Sequence, residues 1–219
     1  MTRKTRVLTR VAVLVSGFGS NLQTFIDGSQ TGDLPIDIVG VISNKEGVYG
    51  LERARNAGIP ERCIPHGQFS SRETFDRSLL TQLREWQAEL VVLAGFMRIL
   101  SNGFVKHFEN RLINIHPSLL PNYTGLNTHQ RVLEDSEKSH GASVHFVIPE
   151  LDKGPVIIQG KLKINSDDTA ETLQQRVHSI EHQIYPLAIK WFAEGRLSVT
   201  ADGVLLDGEK SAKQVITFN

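Results

Sequence analysis

The chain has 219 residues, 40% of them hydrophobic, which supports one sizeable core and fits a single domain of ordinary size. Lys plus Arg and Asp plus Glu number 24 each, so no global field draws in nucleic acid, an anionic membrane or an acidic partner, and any anion must be caught by a local site. Cys63 is the only cysteine, which excludes an intrachain disulfide and points to a reducing, cytoplasmic setting; no apolar run approaches the roughly 18 residues of a membrane helix.

Residues 1–9 read as a basic, poorly ordered leader without a signal-peptide core, and residues 10–219 as one domain. The continuous apolar run 11–15 predicts a strand buried on both faces. The turn Ser16-Gly-Phe-Gly-Ser20 breaks it, and Leu22, Phe25 and Ile26 share one face of a following helix, with Ser20 or Asn21 as its cap. Residues 36–42 form the next strand and 50–57 a short helix stopped by Gly58-Ile-Pro60. A short strand at 62–64 leads into a helix whose Phe75, Leu79, Leu80, Leu83 and Trp86 lie on one stripe.

Strands follow at 90–94 and 112–115, and then 117–127, with two prolines and a glycine, is too irregular for either regular element and reads as a binding loop or lid. Alternating runs at 142–147 and 156–164 predict two edge strands, read as antiparallel additions. Leu173, Val177, Ile180, Ile184, Leu187 and Trp191 predict a long C-terminal helix over 169–191, kinked at Pro186, and 197–206 reads as a small hairpin turning at Ala201-Asp-Gly203. The sum is an α/β fold: a mostly parallel, doubly wound sheet with antiparallel edge strands. Ligands of such sheets bind at the carboxyl ends of the strands, which selects 16–21, Asn44, 95–98 and 114–117 as lining positions.

Three motifs carry candidate chemistry. Ser16-Gly-Phe-Gly-Ser-Asn21 is a glycine turn at a helix start, where free amides favour a phosphate. It does not fit a dinucleotide fingerprint, because Leu22 stands where a third glycine belongs and Ser43-Asn44 where an acidic residue would end the second strand. In Asn114-Ile-His116, the period of 2 puts an amide and an imidazole on one face of a strand, a pairing suited to an oxyanion and a proton in acyl transfer; alone, His116 could equally satisfy a turn before Pro117. Glu150-Leu-Asp152 is either a solvated turn or, folded back on His116, a carboxylate that supports an imidazolium.

Other candidates are weaker. His178 and His182 lack the order of a zinc site, and no metal is expected. His145 either points into the site or is a satisfied structural histidine, and the latter reading is preferred. No serine sits in a nucleophile elbow and Cys63 has no adjacent base, so a covalent enzyme intermediate is not expected.

Taken in order, Gly19-Ser-Asn-Leu22, Leu51-Glu-Arg-Ala54, Leu93-Ala-Gly-Phe-Met-Arg-Ile-Leu100, Ile113-Asn-Ile-His-Pro-Ser-Leu-Leu-Pro121, Ser143-Val-His-Phe146, Leu151-Asp-x-Gly-Pro-Val156 and Glu181-His-x-Ile-Tyr-Pro186 resemble the glycinamide ribonucleotide formyltransferase family along nearly the whole chain. The resemblance implies transfer of a formyl group from the co-substrate 10-formyltetrahydrofolate to the amine of phosphoribosylglycinamide in purine synthesis. It implies small-molecule substrates, no metal, and a monomer or homodimer. By resemblance Gly19, Ser20 and Asn21 hold the substrate phosphate and Glu181 contacts the ribose. Arg72, Met97, Arg98, Ile99, Leu100 and Asn114 lie on the folate side, with Ile148 to Asp152 around the pterin, and Asn114, His116 and Asp152 match the catalytic trio. Phe18, Asn122, Thr124, Asn127 and Ala142 depart from the family pattern, all but Phe18 lying in or near the 117–127 loop or on the strand after it. Methionyl-tRNA formyltransferases share the core motif but carry a further C-terminal domain, and formyltetrahydrofolate hydrolases carry an N-terminal one. A non-catalytic nucleotide-binding module is the remaining alternative.

Overall fold

The computed structural model describes residues 8–218, so the expected leader lies outside the described residues apart from Leu8 and Thr9. Thr9 already belongs to the first strand. Strands β1 (Thr9–Val15), β2 (Ile36–Ser43), β3 (Glu61–Cys63), β4 (Leu90–Leu93), β5 (Leu112–His116), β6 (Ser139–Phe146), β7 (Val156–Lys163) and, after a hairpin of β8 (Leu197–Thr200) and β9 (Gly203–Leu206), β10 (Val215–Phe218) supply all sheet pairing. The main sheet has eight strands in the order β10-β7-β6-β5-β4-β1-β2-β3. From β3 to β5 every pairing is parallel, β6 runs antiparallel to both β5 and β7, and β10 adds to β7 in parallel.

Six helices cover the two faces: α1 (Ser20–Thr31), α2 (Tyr49–Asn56), α3 (Arg72–Glu85), α4 (Asn102–His107), α5 (Thr128–Glu134) and α6 (Ala170–Ala193). The continuous apolar run of β1 is explained by its two faces. Val11, Val13 and Val15 enter the core under α1, α2, α5 and α6, while Ala12 and Leu14 enter the core under α3 and α4. Residues 11–15 are all 0% exposed, and each such aliphatic side chain larger than alanine stabilises the fold by roughly 1.5–3 kcal/mol.

Several expectations are corrected. Ser20 is the first residue of α1 rather than its cap; the N-cap is Gly19, in the left-handed region at φ 71°, and no side chain caps the helix. A Cβ on Gly19 would stand 2.9 Å from the Gly50 Cα, so this position needs glycine for its backbone angle and for its neighbour. The short helices α4 and α5, the 3-10 turn at His66–Gln68 and strand β10 were not foreseen. Trp86 is the C-cap of α3 and packs on the same core as Phe75, Leu79 and Leu83, as the stripe implied. The expected end of the long helix at Trp191 moves to Ala193, with Pro186 inside α6.

Candidate active site

The carboxyl ends of three parallel strands are tied by one hydroxyl. Ser16, just past β1, donates to the Asn44 Oδ1 after β2 at 2.6 Å and accepts from the Met97 backbone N–H after β4 at 2.8 Å. Both Ser16 and Asn44 are buried, so the hydrogen bonds are shielded from water and fix these loops relative to one another.

On β5 the pleat places Asn114 and His116 on one face, and the antiparallel register sets His145 opposite Asn114 and Ser143 opposite His116. The His116 Nε2 lies 2.8 Å from the Tyr123 carbonyl, so that nitrogen carries a hydrogen and donates. Its Nδ1 faces the Asp152 Oδ2 at 3.5 Å, and the two side chains are only 8% and 7% exposed. The same carboxylate oxygen accepts from the Gly125 N–H at 2.9 Å. Asp152 adopts φ 54°, a left-handed conformation that aspartate tolerates better than most residues, and this turns the 147–155 connection back over the sheet face. Spacing along the chain left the Asp152 position open; the structure brings it to the imidazole.

His145 has the complementary chemistry. Its Nδ1 donates to the Phe146 carbonyl at 2.9 Å, which leaves Nε2 as the acceptor for the Asn114 Nδ2 at 3.2 Å. Burial pushes the His145 imidazole below its ordinary value, consistent with a neutral ring. His145 is therefore a satisfied histidine that also orients the Asn114 amide. The motif Ser143-Val-His-Phe146 marked this position in the sequence without assigning it that role.

A second cluster forms at the glycine turn. The α1 amides at Gly19, Ser20 and Asn21 have no side-chain cap, so the helix start keeps free donors. The Asn21 side chain donates to the Glu181 Oε2 on α6 at 2.9 Å, while its own Oδ1 is buried without a partner among the described residues. Burial pushes the Glu181 carboxyl up, against the Asn21 hydrogen bond, which favours the ionised form. Thus Asn21 and Glu181, 160 residues apart in sequence, are joined beside Gly19 and Ser20.

The expected folate-side residues are more dispersed. Met97 and Ile99 are 67% and 54% exposed on the loop after β4, and Leu151 is 56% exposed, forming apolar surface. Arg98 sits 6.0 Å from the Phe75 ring with a buried Nε that lacks a partner among the described residues. Leu100 is buried in the core under α3 and α4, which leaves mainly its backbone for any ligand. Arg72 opens α3 and lines a cleft with Asp76, Ser101 and Phe104, one step beyond the 97–100 segment; Ile148 is half-buried at the start of the Asp152 loop. Among the described residues no group of three or more His, Cys, Asp or Glu is placed to hold a metal, and no helix is long and apolar enough to cross a membrane.

Residues 9–189 match the model of the formyl transferase family. The chain is 48% identical over 204 residues to the phosphoribosylglycinamide formyltransferase of Escherichia coli K12, covering 93% of this chain and 96% of that one. A solved phosphoribosylglycinamide formyltransferase from Coxiella burnetii, in complex with CHES, superposes with a TM-score of 0.90 at 49% identity, covering 97% of this chain and all of the other. A formyltetrahydrofolate deformylase from Burkholderia mallei superposes at 0.84 but is 29% identical, and the match covers 70% of it. Sheet order, the Asn114-His116 strand and these likenesses converge: the chain belongs to the phosphoribosylglycinamide formyltransferase family of formyl transferases.

Proposed function

We propose that this enzyme moves the formyl group of 10-formyltetrahydrofolate onto the amino group of N1-(5-phosphoribosyl)glycinamide, in the cytosol, as a step of purine synthesis. The observation that carries the mechanism is the approach of Asp152 to His116, at 3.5 Å with both side chains more than nine-tenths buried. Both partners of the His116 ring are acceptors, a carboxylate and a carbonyl, so an imidazolium satisfies both.

In this reading the neutral amine attacks the formyl carbon, a C–N bond forms, and the carbonyl oxygen becomes an oxyanion. The Asn114 amide and the His116 Nε2–H stabilise it, the latter exchanging the Tyr123 carbonyl for the oxyanion, and each such donor is worth about 10²–10³ in rate. The bond from carbon to the folate nitrogen then breaks, and the proton lost by the amine goes to that nitrogen through these groups or a water. Asp152 holds the imidazolium in place throughout. The uncapped turn at Gly19 to Asn21 takes the phosphate and Glu181 the ribose hydroxyls, while exposed Met97, Ile99 and Leu151, with Arg72, Arg98 and Ile148, suit the flat pterin and the acidic tail of the folate.

The test is a spectroscopic assay of folate product. Product that forms only when both substrates are present supports transfer. The same rate without the glycinamide would make the protein a hydrolase, and tight binding of both ligands without turnover would make it a binding module.

A further inference from the structure

Next to the glycine turn stands a group that the mechanism above does not use. Phe18, between Gly17 and Gly19, and Tyr49, at the start of α2, are 65% and 43% exposed, yet their rings stack at 5.0 Å and 18°. The Arg53 guanidinium carbon lies 4.5 Å from one ring centroid and 4.6 Å from the other. Its Nε–H donates to the Phe18 carbonyl at 3.0 Å, inside the turn, and its Nη1–H donates to the Gln23 Oε1 at 2.7 Å, in the first turns of α1. The Arg53 Cδ is 3.6 Å from where a Cβ on Gly19 would stand.

Among the described residues Arg53 pairs with no carboxylate: its partners are a backbone carbonyl and a neutral amide. A half-buried guanidinium without a counter-charge is costly unless something anionic approaches it. The nearest place for an anion is the uncapped turn whose carbonyl it already grips. Two exposed aromatic rings would otherwise be a poor use of surface, but against a guanidinium they restrict its rotamers and hold its charge at one point.

We propose that Arg53, fixed by the Phe18–Tyr49 stack, is a positioning residue for the phosphorylated substrate: it shapes the 17–19 backbone and supplies the positive charge that faces the substrate's phosphate. The proposal rests on the reading of Gly19 to Asn21 as the phosphate turn. It also gives Phe18, which replaces a small or polar residue of the family pattern, a job: its ring and its carbonyl both hold Arg53.

The experiment measures the Michaelis constants of both substrates, kcat, and competitive inhibition by inorganic phosphate, in Arg53→Met, Arg53→Lys, Phe18→Ser and Asn21→Ala. Arg53→Met raises KM for phosphoribosylglycinamide about tenfold, as loss of one nearby charge does, with kcat and the folate KM much less affected. Inhibition by phosphate weakens in step, and raising the salt concentration narrows the gap from wild type. Arg53→Lys recovers part of the loss, because it keeps the charge and loses the planar stack. Phe18→Ser, at an exposed position, costs about threefold, the scale of one cation–π contact. Asn21→Ala raises the same KM independently. A normal KM in Arg53→Lys, Arg53→Met and Phe18→Ser, beside a raised one in Asn21→Ala, overturns the role of Arg53 and leaves the phosphate turn standing. Normal values in all four variants also overturn this proposal, and a wild type that inorganic phosphate does not inhibit removes the phosphate turn itself, since Asn21→Ala leaves the Gly19 to Asn21 amides in place. A raised KM with unchanged inhibition by phosphate also overturns the proposal, since Arg53 would then act on another part of the substrate.

Discussion

Two histidines on adjacent strands show how hydrogen-bond partners, rather than residue type, assign roles. His116 meets two acceptors, whereas His145 meets one acceptor and one donor and is kept neutral by burial. Asp152 distinguishes the first from the second. Asp152→Asn keeps an oxygen for the Gly125 N–H and close to the same volume, so the thermal midpoint should move little. It removes the charge beside the imidazole, and kcat should fall by about 10²–10³. Steady-state kinetics with both substrates saturating checks this, and a near-normal kcat would take Asp152 out of the mechanism. Asn114 and His116 were legible in the sequence because a strand's pleat fixes their common face. Asp152 was legible only through family resemblance, since its approach depends on one left-handed residue in a loop. The Tyr123 carbonyl was not legible at all: a backbone acceptor leaves no trace in residue identity.

Among the elements, packing of α6 on β7 depends on an absent side chain. A Cβ on Gly160 would lie 2.1 Å from the Ile180 Cγ2 and 3.2 Å from that of Ile184, so α6 can approach this strand only over glycine. Gly160→Ala should therefore destabilise the protein by about 1–3 kcal/mol, the usual cost of overpacking a core. A urea unfolding series reads it, and a change within about 0.5 kcal/mol, the spread of surface substitutions, would show that the helix shifts freely. Strands β1, β2, β4 and β5 were legible because apolar runs buried on both faces have few alternatives, and α6 because its stripe is long. Helices α4 and α5 are too short for periodicity to register. Strand β10 pairs with β7 across the intervening helix and hairpin, a non-local contact that alternation in four residues does not announce.

For the molecule as a whole, one histidine pair links stability to pH. His129 on α5 and His140 on β6 share a hydrogen bond of 3.0 Å, which requires at least one ring to be neutral, and burial pushes each down to about 4. With the folded values below the unfolded 6.5, their contribution is complete above about pH 6.5 and is lost as pH falls toward 4, where the unfolded chain binds protons that the folded one refuses. Denaturation midpoints should decline over that window, and His129→Gln should flatten the decline; an equal slope in the variant would assign the effect to other groups. The 147–155 connection has a different kind of consequence. Asn114 and His116 are held by the register of β5 on β6, which the Val147 N–H extends by one bond to the Leu112 carbonyl, whereas the acid arrives on 148–152, beyond that last pairing. Changes of length or sequence at 148–152 can thus move, replace or delete the acid while the sheet folds as before. The stretch that makes the protein fold and the stretch that completes its chemistry are separately heritable, so the scaffold can change its reaction without first becoming less stable.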